Sequence, residues 1–184
     1  MPGPFIQIDQ LHRTYREGDQ SQPVLRGASL TIQVGEMVAL LGRSGSGKST
    51  LLNVISGIDR VDSGTVMVDG VDLTKLSERD NTLFRRRHIG FIYQFFNLVP
   101  TLTAAENIAL VLELNRCSRA EIEEKTDHLL RAIDLAAQGD RFPDQLAGGE
   151  QQRVAIARAL VHSPKLVLAD EVTGNLDAET GQRV

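Results

Sequence analysis

Residues 42–50 of this chain read Gly-Arg-Ser-Gly-Ser-Gly-Lys-Ser-Thr and fit the pattern G-x-x-x-x-G-K-[ST]. They follow the apolar run 37–41, which predicts a strand, and they precede an apolar segment that predicts a helix. In such a turn, positive φ at Gly42, Gly45 and Gly47 lets successive backbone N–H groups point at one anion. The segment therefore predicts a phosphate-binding loop between a strand and the N-terminus of a helix.

Two side chains at the end of this loop have separate predicted roles. Lys48 adds a positive charge for the β and γ phosphates, and the Ser49 hydroxyl is placed to ligate Mg²⁺. Gly57 stands at a stop position for the helix, whose positive N-terminus also faces the phosphates. The residues expected to bind the nucleotide here are Gly42, Arg43, Ser44, Gly45, Ser46, Gly47, Lys48, Ser49 and Thr50.

Composition excludes several other kinds of protein. With 184 residues, of which 41% are hydrophobic, the chain can bury one sizeable core. Its single cysteine, Cys117, excludes an internal disulfide framework and favours a reducing cytoplasm. A net charge of -4 gives no footprint for nonspecific nucleic-acid binding, and no apolar run is long enough for a bilayer. The N-terminus lacks the basic flank and apolar core of a secretion signal.

Hydrophobic periodicity divides the chain into three parts. From Phe5 to about Val34, and again at Val66 and Val68, apolar and polar residues alternate, which predicts antiparallel strands with one solvent-facing side. Residues 101–146 have helical periodicity, and the last part contains a helix, a buried strand and a loop. The expected helical subdomain covers residues 101–160.

Two capping boxes mark helix starts inside the helical part. Thr103 is followed three positions later by Glu106, and Ser118 stands in the same relation to Glu121. In a capping box, the hydroxyl accepts from the backbone N–H of the acidic residue, and the carboxylate accepts from that of the hydroxyl residue. Helices are therefore expected to begin directly after Thr103 and Ser118.

A second chemical site is predicted where the apolar strand 166–169 ends in two carboxylates. A phosphate loop needs such a complement, because one carboxylate can hold the Mg²⁺ shell while another activates water. We assign the first role to Asp170 and expect Glu171 to orient and deprotonate the attacking water. Many buried strands end in acidic turns, so the pattern becomes specific only together with the loop at 42–50.

A third motif, residues 146–160, places two glycines at the start of a helix and so makes another N-terminus suited to an anion. Within one chain this helix has no obvious phosphate of its own. The motif resembles the signature of ATP-binding-cassette (ABC) proteins, in which two copies face head to tail and each ATP is clamped between one phosphate loop and the other signature helix. The implied signature residues are Leu146, Ala147, Gly148, Gly149, Glu150 and Gln151.

The resemblance to ABC proteins assigns further residues by position. Tyr15 matches the tyrosine that stacks on adenine, and Gln94 matches the loop glutamine that reaches the metal and the attacking water. Asn175 and Asp177 match the loop that contacts the opposite subunit. Together with the residues assigned above, the implied catalytic residues are Lys48, Gln94 and Glu171, and the implied Mg²⁺ ligands are Ser49, Gln94 and Asp170.

Three departures from the ABC pattern affect the expected activity. Ala147 stands where the signature has serine, whose hydroxyl would bond the γ-phosphate of the partner's ATP. Val172 follows Glu171 where the family has proline, so we expect the base to be placed less rigidly. The chain ends at Val184, before the strand that carries the family's switch histidine, and we therefore expect it to be a fragment of a longer gene product.

The resemblance implies an α/β fold, with a P-loop NTPase core sheet, an N-terminal antiparallel β subdomain and a helical signature subdomain, incomplete at the C-terminus. Residues 1–184 would form one nucleotide-binding domain that binds ATP and Mg²⁺ and hydrolyses ATP. Phe95–Leu98 and Gly174–Asp177 resemble the subgroup of lipoprotein release and macrolide export. The implied partners are a second copy and transmembrane permease subunits, without nucleic acid or direct membrane insertion, on the cytoplasmic face of the cell membrane.

Two other interpretations stay open. A nucleotide-binding module that has lost turnover is favoured by Ala147 and by the missing histidine. An ABC ATPase of the DNA-repair or chromosome-maintenance kind shares these motifs, but such proteins insert a long coiled coil or zinc modules before the signature. The short stretch between Gln94 and Gln145 has no sustained heptad and no cysteine pair, which favours the transporter subunit.

Overall fold

The computed structural model describes residues 3–18 and 20–170, and of Glu17 only the backbone. The chain divides into two compact units, Met1–Leu83 and Phe84–Val184. The strands are β1 (Ile6–Glu17), β2 (Gln20–Ile32), β3 (Ser63–Val68), β4 (Val71–Asp72), β5 (Ile89–Ile92) and β6 (Leu166–Ala169). The α-helices are α1 (Lys48–Ile55), α2 (Glu78–His88), α3 (Ala104–Leu114), α4 (Arg119–Ala132) and α5 (Gly148–Leu160).

The sheet of the first unit has the strand order β2-β1-β3-β4, and its neighbours are antiparallel. Because side chains alternate between the two faces of a strand, Ile6 and Ile8 of β1 share the buried face with Val66 and Val68 of β3. These four side chains are at most 2% exposed. The predicted antiparallel strands are confirmed, although β2 ends before Val34, which is exposed.

Helix α1 packs its apolar side against β2 and β3 of the same unit. Leu52, Val54 and Ile55 are the buried residues of the helix. After its last residue, Gly57 adopts φ of 68°, the left-handed conformation that ends many helices and that glycine takes without strain. The helix predicted after the glycine-rich loop, and its glycine stop, are confirmed.

The apolar run 37–41 does not form the predicted strand. It has no regular structure, and Met37 and Leu41 are 100% and 92% exposed. A strand persists only when its backbone N–H and C=O groups are paired, and the described residues supply no strand beside this run. The prediction of a strand here is wrong for the part of the chain that the structure describes.

The second unit builds its core from helices. Helix α3 packs against α5 and α4, as the predicted helical part requires. The buried apolar residues of this core are Ala104, Ile108, Leu112, Leu130, Leu135, Leu146, Val154, Ala157 and Val161. No helix of the described residues is both long and apolar enough to cross a membrane.

Strands β5 and β6 form a parallel pair in the second unit, and α5 packs against β5. Gly90 makes this packing possible. A Cβ atom there would overlap the carbonyl oxygen of Ala159 in α5 and would also press on Pro164. Strand and helix therefore approach more closely than any residue with a side chain would permit.

One capping box is complete and the other is half formed. At α3, Glu106 N–H donates to the Thr103 hydroxyl at 3.2 Å, and Thr103 N–H donates to the Glu106 carboxylate at 2.7 Å. At α4, the Ser118 hydroxyl accepts from Glu121 N–H at 3.3 Å, but the Glu121 carboxylate pairs with Lys125 at 2.8 Å instead of turning back. Both helix starts are confirmed. These elements together make the predicted α/β fold with an antiparallel N-terminal sheet.

Candidate nucleotide-binding site

The glycine-rich loop turns sharply into the start of α1. Gly45 and Gly47 have φ of 75° and 93°, in the left-handed region where a Cβ atom causes strain. The first hydrogen bond of the helix runs from Leu51 N–H to the Gly47 carbonyl at 2.8 Å. The N–H groups of residues 48–50 consequently have no acceptor within the helix, and they form an end suited to an anion.

Gly42 does not adopt the conformation predicted for it. Its φ is not positive, so that part of the prediction is wrong. A Cβ atom at Gly42 would instead come within 2.7 Å of the Ser46 hydroxyl oxygen. Because this atom is the end of a rotatable serine side chain, the contact by itself does not require a glycine at residue 42.

The Lys48 ammonium group lies over the loop that precedes it. Its Nζ donates to the carbonyl oxygens of Gly42 and Arg43, each at 3.1 Å. An ammonium group carries three protons, so these two bonds leave one donor for another oxygen. The first turn of α1 contains no acidic residue to offset this charge. Ser49, the next residue, has an exposed side chain that an ion can reach.

Tyr15 presents an aromatic ring at the surface of the first unit. Its side chain is 38% exposed, and its hydroxyl donates to the Asp59 carboxylate at 2.6 Å. The guanidinium of Arg13 lies 4.8 Å from the centre of the ring. The ring is thus accessible for stacking while its hydroxyl is held.

Gln94 and Asp170 follow the same ends of the two parallel strands in the second unit. Ile92 of β5 pairs with Ala169 of β6, and Asp170 N–H continues the ladder to the Ile92 carbonyl at 3.0 Å. Both side chains are half-buried. Side chains at the carboxyl ends of parallel strands lie at one edge of the sheet, where α/β proteins bind ligands.

The oxygen atoms of Ser49, Gln94 and Asp170 are chemically suited to Mg²⁺. This ion prefers hard oxygen ligands and needs only one or two carboxylates when phosphates and waters supply the rest. Among residues 3–18 and 20–170, no group of three or more His, Cys, Asp and Glu side chains could hold a metal by itself. Each of these three oxygens is therefore of the kind that binds Mg²⁺ together with phosphate and water.

The signature residues form the start of α5. Ala147 is the N-cap and offers no side-chain hydrogen bond to the helix. Its own N–H donates to the Glu150 carboxylate at 2.8 Å, which is the half of a capping box that an alanine allows. The first helical bond runs from Gln151 N–H to the Ala147 carbonyl at 2.9 Å, so the N–H groups of Gly148 and Gly149 have no helical acceptor.

Sequence reasoning missed Arg158, near the end of α5. Its guanidinium donates to the carbonyls of Phe96 and Asn97 at 2.9 and 2.7 Å. Burial lowers the pKa of Arg158 from its ordinary value, because desolvation disfavours the charged form. The helix that starts with the signature is thereby fastened to the segment directly after Gln94.

Asn107, also missed, holds the next part of the same segment. It is fully buried in α3, where its side-chain oxygen accepts from Val99 N–H at 2.8 Å. Its amide nitrogen faces the carbonyls of Val99, Leu102 and Thr103 at 2.9 to 3.1 Å. Asparagine is common at surfaces, so only the folded structure distinguishes this one from the others.

Three predicted site residues and one departure from the ABC pattern lie outside the described residues. They are Glu171, Val172, Asn175 and Asp177. The assigned base and the loop expected to contact an opposite subunit therefore stay predictions, as do the nucleotide-contacting roles of the other site residues.

Residues 25–174 match the protein-family profile described as ABC transporter. The lipoprotein-releasing system ATP-binding protein LolD of Novosphingobium aromaticivorans is 48% identical, over 100% of this chain and 82% of LolD. The macrolide export ATP-binding/permease protein MacB of Rhodopirellula baltica is 46% identical, over 98% of this chain and 27% of MacB. Both similarities confirm the subgroup resemblance.

A solved structure of the ATP-binding cassette MJ0796, a dimer in a post-hydrolysis state bound to ADP and Pi, has the same fold. Its TM-score is 0.90 at 39% identity, over 97% of this chain and 78% of that chain. The phosphate loop, the paired strand ends and the signature helix occur in the order that the family profile spans. The chain therefore belongs to the ABC transporter family, and it is an ATP-binding, ATP-hydrolysing cassette subunit of that family.

Proposed function

We propose that two copies of this chain associate head to tail and enclose two ATP molecules. The observation that carries the proposal is the start of α5, where unpaired N–H groups of Gly148 and Gly149 form an anion-binding end without a basic side chain in that turn. Such an end is suited to a phosphate already held by another phosphate loop. The dimeric state of the similar cassette MJ0796 supports this arrangement.

The loop 42–50 and Tyr15 bind the nucleotide in this proposal. Lys48 and the N–H groups of the loop hold the phosphates, and the ring of Tyr15 stacks on adenine. Ser49, Gln94 and Asp170 would hold Mg²⁺, which supplies neutralisation of the charge that develops on the phosphate oxygens. Glu171 accepts a proton from water as the water oxygen attacks the γ-phosphorus, and the bond to the leaving ADP oxygen breaks.

Residues 1–184 would act as one nucleotide-binding domain that drives separate transmembrane permease subunits from the cytoplasmic face of the membrane. The names of LolD and MacB support a transporter of the lipoprotein-release or macrolide-export kind. The segment from Gln94 to Thr103 would pass the closing motion to the permease. It is suited to this role because Arg158 and Asn107 hold its backbone to α5 and α3.

A second candidate is a cassette that binds ATP and dimerises but turns over poorly. Ala147 favours it, because each copy would lack the hydroxyl that bonds the partner's γ-phosphate. Losing one such bond costs about 1 to 3 kcal/mol. Both candidates form the ATP-bound dimer, and they differ in how fast this dimer releases phosphate.

Mixing two inactive variants tests the composite site. Lys48→Ala disables the phosphate loop, and Gly148→Asp disables the signature end by charge repulsion. The aspartate fits, since a Cβ at residue 148 meets only the Phe96 ring, at 3.9 Å, and acidic residues stabilise a helix N-terminus. A mixed dimer keeps one intact site, because the intact loop of one copy meets the intact signature of the other.

We expect each variant alone to release no phosphate above background. A 1:1 mixture should recover about a quarter of the wild-type rate per chain, since half of random dimers are mixed and each keeps one site of two. Wild type that dimerises with ATP but releases phosphate only slightly faster than background would establish the second candidate. An active wild type whose variants do not complement each other would contradict the head-to-tail site.

A further inference from the structure

The loop between α1 and β3, residues 56–62, is hydrogen-bonded to the part of β1 that carries Tyr15. Asp62 N–H donates to the His12 carbonyl at 2.9 Å, and the Asp62 carboxylate accepts from Thr14 N–H at 2.7 Å. The Asp59 carboxylate accepts from the Tyr15 hydroxyl at 2.6 Å. Asp62 therefore accepts a hydrogen bond from the backbone just before Tyr15, and Asp59 accepts one from the end of the Tyr15 side chain.

Arg13 completes the surroundings of the tyrosine ring. Its guanidinium lies over the Tyr15 ring, 4.8 Å from the ring centre. Asp62 holds this guanidinium at 3.5 Å. The Arg13 side chain is 22% exposed, and because it lies over the ring it forms a wall on one side of the ring. A cation over an aromatic face is an attractive contact.

The same loop is tied to the helix that begins at Lys48. The N–H groups of Ile58 and Asp59 donate to the carbonyl of Asn53 in α1, at 2.9 and 3.2 Å. A continuous path of hydrogen bonds thus runs from the Tyr15 hydroxyl through Asp59 to α1. The aromatic ring and the phosphate loop are connected through this loop as well as through the sheet.

We infer that Asp59, Asp62 and Arg13 are positioning residues that hold the Tyr15 ring as a preformed stacking surface for the nucleotide base. This inference rests on the proposed function, because it requires that Tyr15 stacks on adenine. A phenol ring without these contacts would sample several rotamers, and binding would have to order it. Holding the ring in place beforehand removes that cost and tightens nucleotide binding.

The test compares ATP with inorganic tripolyphosphate, which has phosphates but no base. Isothermal titration of the full chain should show about threefold to tenfold weaker ATP binding for Asp59→Ala, the cost of ordering one side chain. Asp62→Ala should weaken ATP binding by a similar factor. Tripolyphosphate binding should stay unchanged, because these residues act on the base and not on the phosphate loop.

A double-mutant cycle assigns the effect to one hydrogen bond. Tyr15→Phe keeps the ring and removes the hydroxyl, so it should weaken ATP binding as much as Asp59→Ala does. The double variant should be no weaker than either single one, since both remove the same contact. Asp9→Ala is the matched control, because this carboxylate is exposed on β1 in the same unit and lies outside the loop 56–62. Its ATP affinity should equal that of the wild type.

Tyr15→Ala separates failure of the inference from failure of the proposed function. If Tyr15→Ala leaves ATP affinity unchanged, stacking by this residue is wrong and the inference falls with it. If Tyr15→Ala weakens ATP binding but Asp59→Ala does not, only the inference is overturned. Equal losses for ATP and tripolyphosphate in Asp59→Ala would show that Asp59 supports the fold alone, and this would also overturn it.

Discussion

Helices α1 and α5 both begin with glycine-flanked turns whose N–H groups are free for an anion, yet their charges differ. The first turn of α1 carries Lys48 and no acidic residue. The first turn of α5 carries Glu150, whose carboxylate caps Ala147 N–H at 2.8 Å, and no basic residue. One end can attract a polyphosphate unaided, while the other offers only backbone donors and the helix dipole.

The two helices also differ in how their far ends are fastened. The end of α1 is held by local bonds, such as that from the Ser56 hydroxyl to the Asn53 carbonyl at 2.9 Å. The end of α5 is held by Arg158, which reaches the distant carbonyls of Phe96 and Asn97. The described bonds at the end of α1 are thus local, whereas α5 joins its anion-binding end to the segment after Gln94.

The largest expected effect is the loss of the charge at α1. Lys48→Ala should weaken Mg²⁺-ATP binding by about 100-fold or more, since charge-assisted bonds to the phosphates disappear while no core contact changes. Isothermal titration measures the affinity, and circular dichroism checks the fold. Lys75→Ala is the control, because its ammonium is exposed and pairs with Asp72. Unchanged ATP affinity in a folded Lys48→Ala variant would show that the charge of Lys48 does not distinguish α1 from α5 in phosphate binding.

The next effect concerns the fastening of α5. Arg158→Met keeps the apolar stem but leaves the Phe96 and Asn97 carbonyls without this donor, so unfolding should become easier by about 1 to 3 kcal/mol. Urea unfolding measures this change. Arg119→Met, whose wild-type side chain is 92% exposed, should change stability by less than about 0.5 kcal/mol. Equal effects at both positions would mean that Arg158 does not fasten the helix.

A smaller effect is expected from adding a donor to the signature end. Ala147→Ser supplies one hydroxyl to each ATP of a symmetric dimer, so ATP-driven dimerisation should tighten about tenfold. Monomer affinity for ATP should not change, because in the proposed dimer the hydroxyl faces the partner's nucleotide. Analytical ultracentrifugation with and without ATP separates the two quantities, and Ala137→Ser at an exposed position is the control. If Ala147→Ser increased the ATP affinity of the monomer, the signature would belong to the nucleotide site of its own chain.

The smallest effect is a pH dependence at the end of α5. Burial lowers the pKa of His162, and the charges of His88 and Lys125 lower it further, against a bond to the Ile89 carbonyl that raises it. The unfolded chain, with an ordinary histidine pKa, takes up a proton that the folded chain refuses, so stability should fall as pH drops below about 6.5. The stability associated with the neutral His162 is fully present above about pH 6.5.

His162→Gln should flatten the pH dependence, because the amide keeps a donor for Ile89 without titrating. Melting temperatures between pH 7.5 and 5.5 provide the measurement, with the exposed His128 replaced by glutamine as the control. If His128→Gln flattens the curve as much as His162→Gln does, the buried histidine is not its source.

Local chemistry made the start of α1 and the complete capping box at Thr103 predictable, because each depends on residues a few positions apart. The run 37–41 was wrongly predicted as a strand because a strand also requires a neighbour, which periodicity does not reveal. Arg158 and Asn107 escaped notice for a related reason. Their partners are backbone carbonyls, which leave no mark in a side-chain pattern.

The residues of the candidate site likewise fall into those that local sequence predicts and those that it does not. Motif spacing assigned Lys48, and the structure places its ammonium on the loop carbonyls. The contacts of Asp59 with Tyr15 join positions 44 residues apart, so no local pattern could reveal them. The positive φ predicted at Gly42 was wrong, since the glycine-rich pattern does not show which of its glycines adopt that conformation.

The contact at Gly90 has a consequence for the natural variation of this protein. Any single-base change in a glycine codon that alters the residue adds a Cβ atom, and every such atom here would overlap the backbone of α5 at Ala159. No residue is smaller than glycine, so no replacement at this position avoids the overlap. In a saturation library we expect all variants at residue 90 to be depleted, while the adjacent and less buried Phe91 tolerates other large apolar residues.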